Sequence, residues 1–489
     1  MSDSETLQTS ESPDANAVLP ESQTTPTSPS SFWSAIRESL RGSHQDYTVG
    51  PIGRSIILLA IPMVLEMCME SIFAVVDIKW VSYLGPDAMA TVGLTESLMT
   101  LIYAIAIGLS IGATAMIARR IGEHDREGAA RAAVQAVALG LIVAIAVALV
   151  SAPLAPKLLR LMGASSSVIE HGVWFTRIML GCNVTVVMLF MINAIFRGAG
   201  DAAIAMRVLW LANAINIVLG PCFIFGLGPF PKLGVAGAAV ATNIGRGTGA
   251  IYAFSRLVRK GGRFEIKRHH FRLEPAIMTR LVRLSATGTF QVFVGMASWI
   301  GLVRTISSFG TEVVAGYVIG IRVIIFALLP SWGMSNAAAT MVGQALGAKK
   351  PERAERAVWK AGFYNFIFLG TVGLIFVVFA RQIIWLFTTD PRVVPYGVDC
   401  LRIVASGFLF YAYGMVLTQS FNGAGDTWTP TVINLFVFWL WELPLAYVLA
   451  IVFGLGPRGV FLAITIAFST LAIVSALFFR RGKWKTKVV

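Results

Sequence analysis

Three carboxylates occur at helical spacing in the first long apolar segment of the chain, near residues 56–84. Glu66, Glu70 and Asp77 fall at about 0°, 40° and 20° around a helix that turns by about 100° per residue. The segment is long enough to cross a bilayer, which takes about 20 apolar residues. Because intramembrane carboxylates normally face a bundle interior or a watered cavity, we expect a cavity built around this acidic stripe. The alternative is that Glu66 and Glu70 only satisfy neighbouring polar side chains.

The chemistry open to such a stripe is the exchange of a proton or another cation. Burial disfavours the charged form of a carboxylate, which suits proton exchange near neutral pH, whereas a bound cation favours the charged form. Asn213 and Asn216 lie on a later segment, in a sector of about 60° that also holds Gly220. The oxygens of Asp77 and Asn216 also suit a hard cation such as sodium. These residues indicate an ion-coupling site for H⁺ or Na⁺, with no cofactor and no other metal.

The composition places these segments in a membrane. Of the 489 residues, 56% are hydrophobic and 13% are charged, whereas a soluble chain carries about a quarter charged residues. The Lys and Arg residues behind the formal charge of +14 collect in alternate loops, which is typical of membrane orientation and not of nucleic-acid binding. The cysteines and histidines lack zinc-site spacing. We therefore predict an all-α polytopic membrane protein in contact with lipid and not with nucleic acid.

Twelve segments have the length and apolar character of membrane-spanning helices. They lie near 55–80, 90–115, 130–153, 169–195, 203–226, 234–256, 283–307, 313–338, 358–380, 395–419, 429–453 and 458–479. An even number of spans places both termini on the same side, and the basic loops assign that side to the cytoplasm. We therefore expect a multi-pass protein of the plasma (inner) membrane.

The chain divides around a basic linker in its middle. Residues 1–30 are rich in Ser, Thr, Pro and Gln and are expected to be disordered. The stretch that follows, 31–42, is either a short amphipathic helix on the inner membrane surface or an irregular linker. The predicted units are a cytoplasmic tail at 1–50, a six-helix lobe at 51–256, a basic linker at 257–282, a second six-helix lobe at 283–480 and a basic tail at 481–489.

The two lobes are copies of one unit, related by a constant shift of 225 residues. LGPDAMATVG at 84–93 corresponds to FGTEVVAGYV at 309–318, and FRGAGD at 196–201 corresponds to FNGAGD at 421–426. Because each copy has an even number of segments, both run the same way through the membrane. This predicts two parallel lobes that hold a substrate between them and rock to give alternating access.

The acidic stripe belongs to the first copy alone. Gln291 stands opposite Glu66, and Leu302 stands opposite Asp77. A purely structural acid would have more reason to recur in both copies, so this asymmetry favours a functional role.

The chain resembles the multidrug and toxic compound extrusion (MATE) family over about residues 50–480. The similarity rests on VDIKWVSYLGPDAMATVGL, on the loop IGEHDREGAARAA, on the FRGAGD and FNGAGD pair, and on NIVLGPCFIFGLGPFPKLGVAGAAVAT. The resemblance implies a V-shaped antiporter of twelve helices that expels cationic or amphiphilic organic compounds against an inward flow of H⁺ or Na⁺. We expect this multidrug exporter to be a monomer.

The resemblance also implies a coupling site in the first lobe. The family's acid on the first helix matches Asp77, and an Asn on the fifth helix matches Asn216. The family often has an Asp four residues further on, where this chain has Gly220. We expect Asp77 to carry the coupling, with Asn216, Asn213 and the neighbouring stripe acids beside it.

Two other functions compete with an exporter. A flippase for lipid-linked oligosaccharide or peptidoglycan precursor could share the fold, and its cavity would need buried cations, such as Arg304 and Arg322, to hold pyrophosphate. A membrane-embedded enzyme is disfavoured because the chain has no paired histidines, zinc motif or nucleophile elbow.

The sequence does not determine which way the Glu442 side chain faces. The aromatic residues Trp299, Tyr317, Tyr411 and Tyr413 are assigned to packing and left out of the site.

Overall fold

A computed structural model describes residues 32–42, 45–259, 261–487 and 489. The predicted disorder of residues 1–30 lies outside the described residues. The described residues form helices joined by turns and loops, with no strand among them, which confirms the predicted all-α class. Its α-helices are α1 Phe32–Arg41, α2 Ile52–Ser82, α3 Pro86–Gly122, α4 Arg126–Leu161, α5 Ser166–Gly181, α6 Asn183–Ala199, α7 Ala202–Phe225, α8 Val235–Val258, α9 Pro275–Ser307, α10 Thr311–Gly347, α11 Pro351–Trp385, α12 Val394–Ser406, α13 Phe408–Gly423, α14 Trp428–Asn434, α15 Leu443–Tyr447 and α16 Pro457–Arg480.

The helices account for the predicted membrane segments. Ten helical runs among the described residues are long and apolar enough to cross a membrane, and the pair α12 and α13, bent by 58°, makes an eleventh if the two helices together are one span. One of the ten is Trp428–Val452, in which the π-helical stretch Leu435–Glu442 joins α14 to α15 and a second π-helical stretch, Val448–Val452, follows α15. The remaining predicted segment is α8, a helix of 24 residues with Thr242, Asn243 and Arg246 near its centre.

The backbone repeats at the shift that the sequence indicates. Helices α3 and α10 begin and end 225 residues apart, and each follows a glycine in the left-handed region, Gly85 with φ of 94° and Gly310 with φ of 107°. His124 and Lys349 lie at the same shift, and both have φ of 57°, which is uncommon for a residue with a side chain. The same turns therefore recur in both copies.

The first half of the bundle, α2 to α8, meets the second half, α9 to α16, along α2, α3, α9 and α10. Ile56, Leu59 and Met63 of α2 are at most 1% exposed and share an apolar core with Met341 and Val342 of α10. Separate apolar cores fill the interior of each half. The contact between the halves therefore uses the same kind of side-chain packing as the halves themselves.

The basic loops and the C-terminal residues meet at one end of the bundle, which we call the basic face (residues 119–131, 259–283, 349–356 and 480–487). There the Arg119 guanidinium at the end of α3 donates hydrogen bonds to the carbonyl oxygens of Ala424 (3.2 Å) and Lys487 (2.9 Å). The Lys487 Nζ lies 3.2 Å from Asp426 Oδ1. These contacts join the first half, the second half and the C-terminal residues, so the two halves are closed against each other at this face.

Candidate functional site

The first stripe acid is held in a buried ion pair. Glu66 is 2% exposed, and its Oε1 accepts hydrogen bonds from Arg197 Nη1 at 2.8 Å and from Asn193 Nδ2 at 3.4 Å. Both partners lie on α6. Because an uncompensated charge away from water is strongly unfavourable, the contact with Arg197 offers Glu66 the opposite charge that a carboxylate needs in this position.

The second stripe acid meets two other helices of the first half. Glu70 Oε2 accepts a hydrogen bond from Asn213 Nδ2 on α7 at 3.0 Å, and Glu70 Oε1 accepts one from Arg246 Nη2 on α8 at 3.1 Å. Arg246 has 3% of its side chain exposed. Asn216 lies one turn further along α7, where its Nδ2 donates to Thr242 Oγ1 at 2.9 Å. Asn213 is thus hydrogen-bonded to Glu70, whereas Asn216 is hydrogen-bonded to Thr242 of α8.

The third stripe acid has a different environment. Asp77 is partly buried and has no hydrogen bond or ion pair within the described part of the chain. It lies close enough to Glu96 on α3 and to Arg246 to interact with both electrostatically. Asp77 is therefore the stripe acid without a fixed cation in direct contact.

The stripe faces the interior of the first half, as the helical spacing predicts. A cavity of about 1030 Å³ lies between the halves, and none of the described residues that line it is a stripe acid. Arg197 and Arg246, with the amides of α6 and α7, contact Glu66 and Glu70 directly. A cavity around the stripe itself stays a prediction.

The cavity is lined by α3 of the first half and by helices of the second half. Glu442, whose orientation the sequence leaves open, is one of the lining residues. Trp299 and Tyr411 also line the cavity, whereas Tyr317 is 1% exposed and stacks on Phe461. Lysine, arginine and histidine are absent from the described residues that line it.

One cluster outside the membrane interior has the composition of a metal site. The ligand atoms of Glu127, His269 and His270 lie within 4.8 Å of one another, although the chain spacing of the histidines gives no zinc pattern. Both ring Nε2 atoms lie 2.6 Å from the same Glu127 oxygen, and His270 Nδ1 accepts a hydrogen bond from the Lys267 amide. Hydrogen bonds to one carboxylate therefore account for the arrangement.

Sequence reasoning missed three charged residues of the first half: Arg197, Arg246 and Glu96. The signal was present, since each lies inside an apolar segment where any charge is costly. The argument applied to the acids of α2 would have identified these three residues as interior groups. The sequence does not show which acid each arginine contacts.

The fold and the polar interior define a multi-span membrane transporter with two similar halves. The MatE family model matches residues 62–222 and 289–448, once in each half. The chain belongs to this family, as the resemblance to MATE transporters predicts, and the members are transporters and not enzymes.

Individual proteins resemble this chain along most of its length. The "Probable multidrug resistance protein NorM" of Thermotoga maritima is 27% identical and the alignment covers 90% of this chain and 95% of that protein. The "FAD transporter" of Shewanella oneidensis is 24% identical over 85% and 92% of the two chains. A solved structure described as the outward-facing conformation of a multidrug resistance MATE family transporter has a TM-score of 0.84 and 29% identity, and the match covers 90% of this chain and 98% of the other.

Proposed function

We propose that this protein is a secondary active multidrug exporter, which moves cationic or amphiphilic organic compounds out of the cell against H⁺ or Na⁺ by alternating access. Asp77 carries the coupling. The observation that supports this role is that Glu66 and Glu70 each have an arginine in direct contact, whereas Asp77 has none among the described residues. An acid without a fixed partner is available to a proton or a cation that must bind and leave.

The neighbours of Asp77 set the charge around the coupling site. Arg246 interacts electrostatically with Asp77 and is hydrogen-bonded to Glu70. A cation that approaches Asp77 is attracted by Asp77 and Glu96 and repelled by Arg246. Glu70, Asn213 and Asn216 hold the surrounding helices together, and Asn216 and Asp77 offer oxygens of the type that sodium binds.

The cavity composition disfavours an anionic substrate. A pyrophosphate, such as that of a lipid-linked sugar or of FAD, needs arginine or lysine side chains for recognition. No basic side chain is found among the described residues that line the cavity, and neither Arg304 nor Arg322 is one of them. The flippase and FAD-export functions therefore have less support than export of cations.

The exporter function is tested in proteoliposomes that contain the purified protein and a fluorescent cationic dye. A proton gradient and a sodium gradient are imposed separately, and dye movement is followed in the wild type, Asp77→Asn, Glu70→Gln and Glu170→Gln. We expect Asp77→Asn to reduce gradient-driven movement to background, while Glu170→Gln, an exposed acid of α5, leaves it unchanged. Undiminished pumping in Asp77→Asn would contradict the role of Asp77, and undiminished pumping in both Asp77→Asn and Glu70→Gln would contradict coupling by the acids of α2.

A further inference from the structure

Arg246 is a buried cation of the first half whose hydrogen bonds are incomplete. Its side chain is 3% exposed, and its Nη2 donates to Glu70 Oε1 at 3.1 Å. The other two guanidinium nitrogens, Nε and Nη1, are buried and donate to no described residue. A buried charge inside a membrane segment is costly, and a charged donor without an acceptor adds to that cost. The pair with Glu70 therefore uses only part of the hydrogen-bonding capacity of Arg246.

The second acid near Arg246 is Asp77. Glu70 and Asp77 lie on the same side of α2, two helical turns or about 10.5 Å apart along its axis. Arg246 interacts electrostatically with both acids. Asp77 has no hydrogen bond or ion pair within the described chain. An acid that lacks donors thus lies near an arginine that has unused donors.

Two aromatic rings line the region between these acids. Arg246 Cζ lies 5.8 Å from the centre of the Phe73 ring and 6.0 Å from the centre of the Tyr103 ring. Phe73 lies one turn after Glu70 and one turn before Asp77 on α2. A ring face attracts a guanidinium without fixing the direction of its N–H groups. The Arg246 head group can therefore turn from Glu70 towards Asp77 while it stays against the rings.

The other groups around Asp77 supply no second cation. Glu96 and Tyr103 of α3 interact electrostatically with Asp77. Residues 208–225 of α7, which packs on α2, contain no charged side chain. Among the described residues, Arg246 is therefore the positive charge that acts on Asp77.

A fixed cation beside an acid affects a metal ion and a proton differently. Sodium keeps its charge and needs several oxygen ligands, so sodium at Asp77 would lie close to the like charge of Arg246. A proton neutralises the carboxylate and needs no other ligand. The position of Arg246 therefore disfavours sodium at Asp77 more than it disfavours a proton.

We infer that Arg246 determines the ion specificity of the coupling site: it is a cation built into the protein, shared between Glu70 and Asp77, which excludes sodium and leaves the proton as the coupling ion. When Asp77 holds a proton, Arg246 stays on Glu70. When that proton leaves to water, Nε and Nη1 of Arg246 donate to the Asp77 carboxylate. The inference rests on the exporter function proposed above and deepens it by selecting H⁺ over Na⁺.

Equilibrium binding of radioactive sodium to the purified protein in detergent tests this role without transport. Arg246→Gln removes the fixed cation, and Arg246→Gln combined with Glu70→Gln removes the cation together with its partner acid. We expect both variants to bind sodium at least about tenfold more tightly than the wild type, because a repulsive charge is gone. Adding Asp77→Asn to either variant should abolish the gain.

Two further variants separate charge from other effects. Arg246→Lys keeps the positive charge and should bind sodium as weakly as the wild type. Arg256→Gln, the same change as Arg246→Gln in the last turn of α8, is the matched control and should also bind like the wild type. An equal gain in Arg256→Gln would exclude a specific effect of Arg246. Elution of each variant as a single peak in size-exclusion chromatography establishes that the fold is intact.

Two results would overturn the role of Arg246. One is sodium binding that neither Arg246→Gln nor the double variant strengthens. The other is dye movement in wild-type proteoliposomes driven by a sodium gradient alone, which needs no variant to fold and leaves the exporter function in place. Because binding is measured without a gradient, a gain of sodium binding in Arg246→Gln, for a wild type that pumps under neither gradient, would contradict the exporter function and leave the role of Arg246 in place.

Discussion

The acids of α2 share one side of the helix but differ in their partners. Glu66 contacts Arg197 on α6, and Glu70 contacts Arg246 on α8. Asp77 has neither kind of partner in the described chain. Two of the acids thus have a counter-charge within the protein, and the third has none in direct contact in the described chain.

The Glu66–Arg197 pair gives a prediction about stability. Arg197→Met should destabilise the protein by about 3–5 kcal/mol, because it leaves a buried carboxylate without its counter-charge. Adding Glu66→Gln to this variant should restore part of the loss, because the remaining group is then neutral. Thermal unfolding in detergent measures both effects. Arg160→Met, at an exposed arginine of α4, should change little, and a loss of similar size in that control would contradict the explanation.

Gly220 gives a prediction about the coupling ion. A Cβ atom at this position would lie 3.7 Å from Trp80 Cδ1 and 3.9 Å from Asn216 Oδ1, which are ordinary contact distances, so Gly220→Asp should fold. The new carboxylate beside Asn216 should strengthen sodium binding by about tenfold, since charged oxygen ligands raise cation affinity. The sodium dependence of dye movement measures this. Gly220→Asn has a similar shape without the charge, and an equal gain in that variant would exclude a charge effect.

At the scale of elements, the halves meet where glycines let helices approach closely. A Cβ atom on Gly108 of α3 would lie 2.1 Å from Thr289 Oγ1 and 2.4 Å from the Thr289 backbone nitrogen of α9. Backbone this close leaves no room for a side chain, and small residues are typical of tight helix contacts in membranes. The crossing of α3 and α9 therefore depends on this position.

We predict that Gly108→Val destabilises the observed conformation by about 1–3 kcal/mol, the usual cost of overpacking. The expected observation is a lower unfolding temperature in detergent, with loss of gradient-driven dye movement. Gly93→Val is the matched control on the same helix, because a Cβ there has no neighbour within 4 Å. Equal stability of the two variants would show that the stability of the observed conformation does not depend on the close contact between α3 and α9.

At the scale of the whole molecule, the halves are closed at the basic face and separated by the cavity further along the bundle. Arg119, Lys487 and Asp426 are among the residues that join them there. Alternating access requires this closed face to open during each cycle. Contacts at the basic face should therefore break and form again as the protein works.

A disulfide across the halves tests this requirement. A Cβ atom on Gly112 of α3 would lie 3.4 Å from the Leu284 Cβ of α9, near the lower limit of about 3.5 Å for a disulfide. It would also lie 2.6 Å from Ser285 Oγ, so the disulfide variant carries Ser285→Ala to remove this hydroxyl. In a background without the native cysteines, oxidation of Gly112→Cys with Leu284→Cys should reduce dye movement to background, and a reductant should restore it. Gly181→Cys with Ala152→Cys, at 3.3 Å within the first half, should form a disulfide without affecting transport. Full activity of the oxidised pair between the halves would contradict a rocking mechanism.

The sequence by itself determines the membrane-spanning helices, their repeat and the inward orientation of the α2 acids. Hydropathy and helical spacing are local properties, so they can be read along the chain without knowing which helices touch. The recurrence of glycine turns at Gly85 and Gly310 likewise follows from the repeat. The family also follows from the sequence, because its motifs occur at fixed spacings.

Only the tertiary structure decides which charges are paired. Arg197 and Arg246 lie 131 and 176 positions from the acids they contact, so their pairing depends on how α6 and α8 pack against α2. The same packing brings Arg197 and Arg246 against Glu66 and Glu70, and it leaves the cavity next to Glu442. A charge inside a membrane segment indicates that a partner is needed, but the partner is selected by the three-dimensional arrangement of the helices.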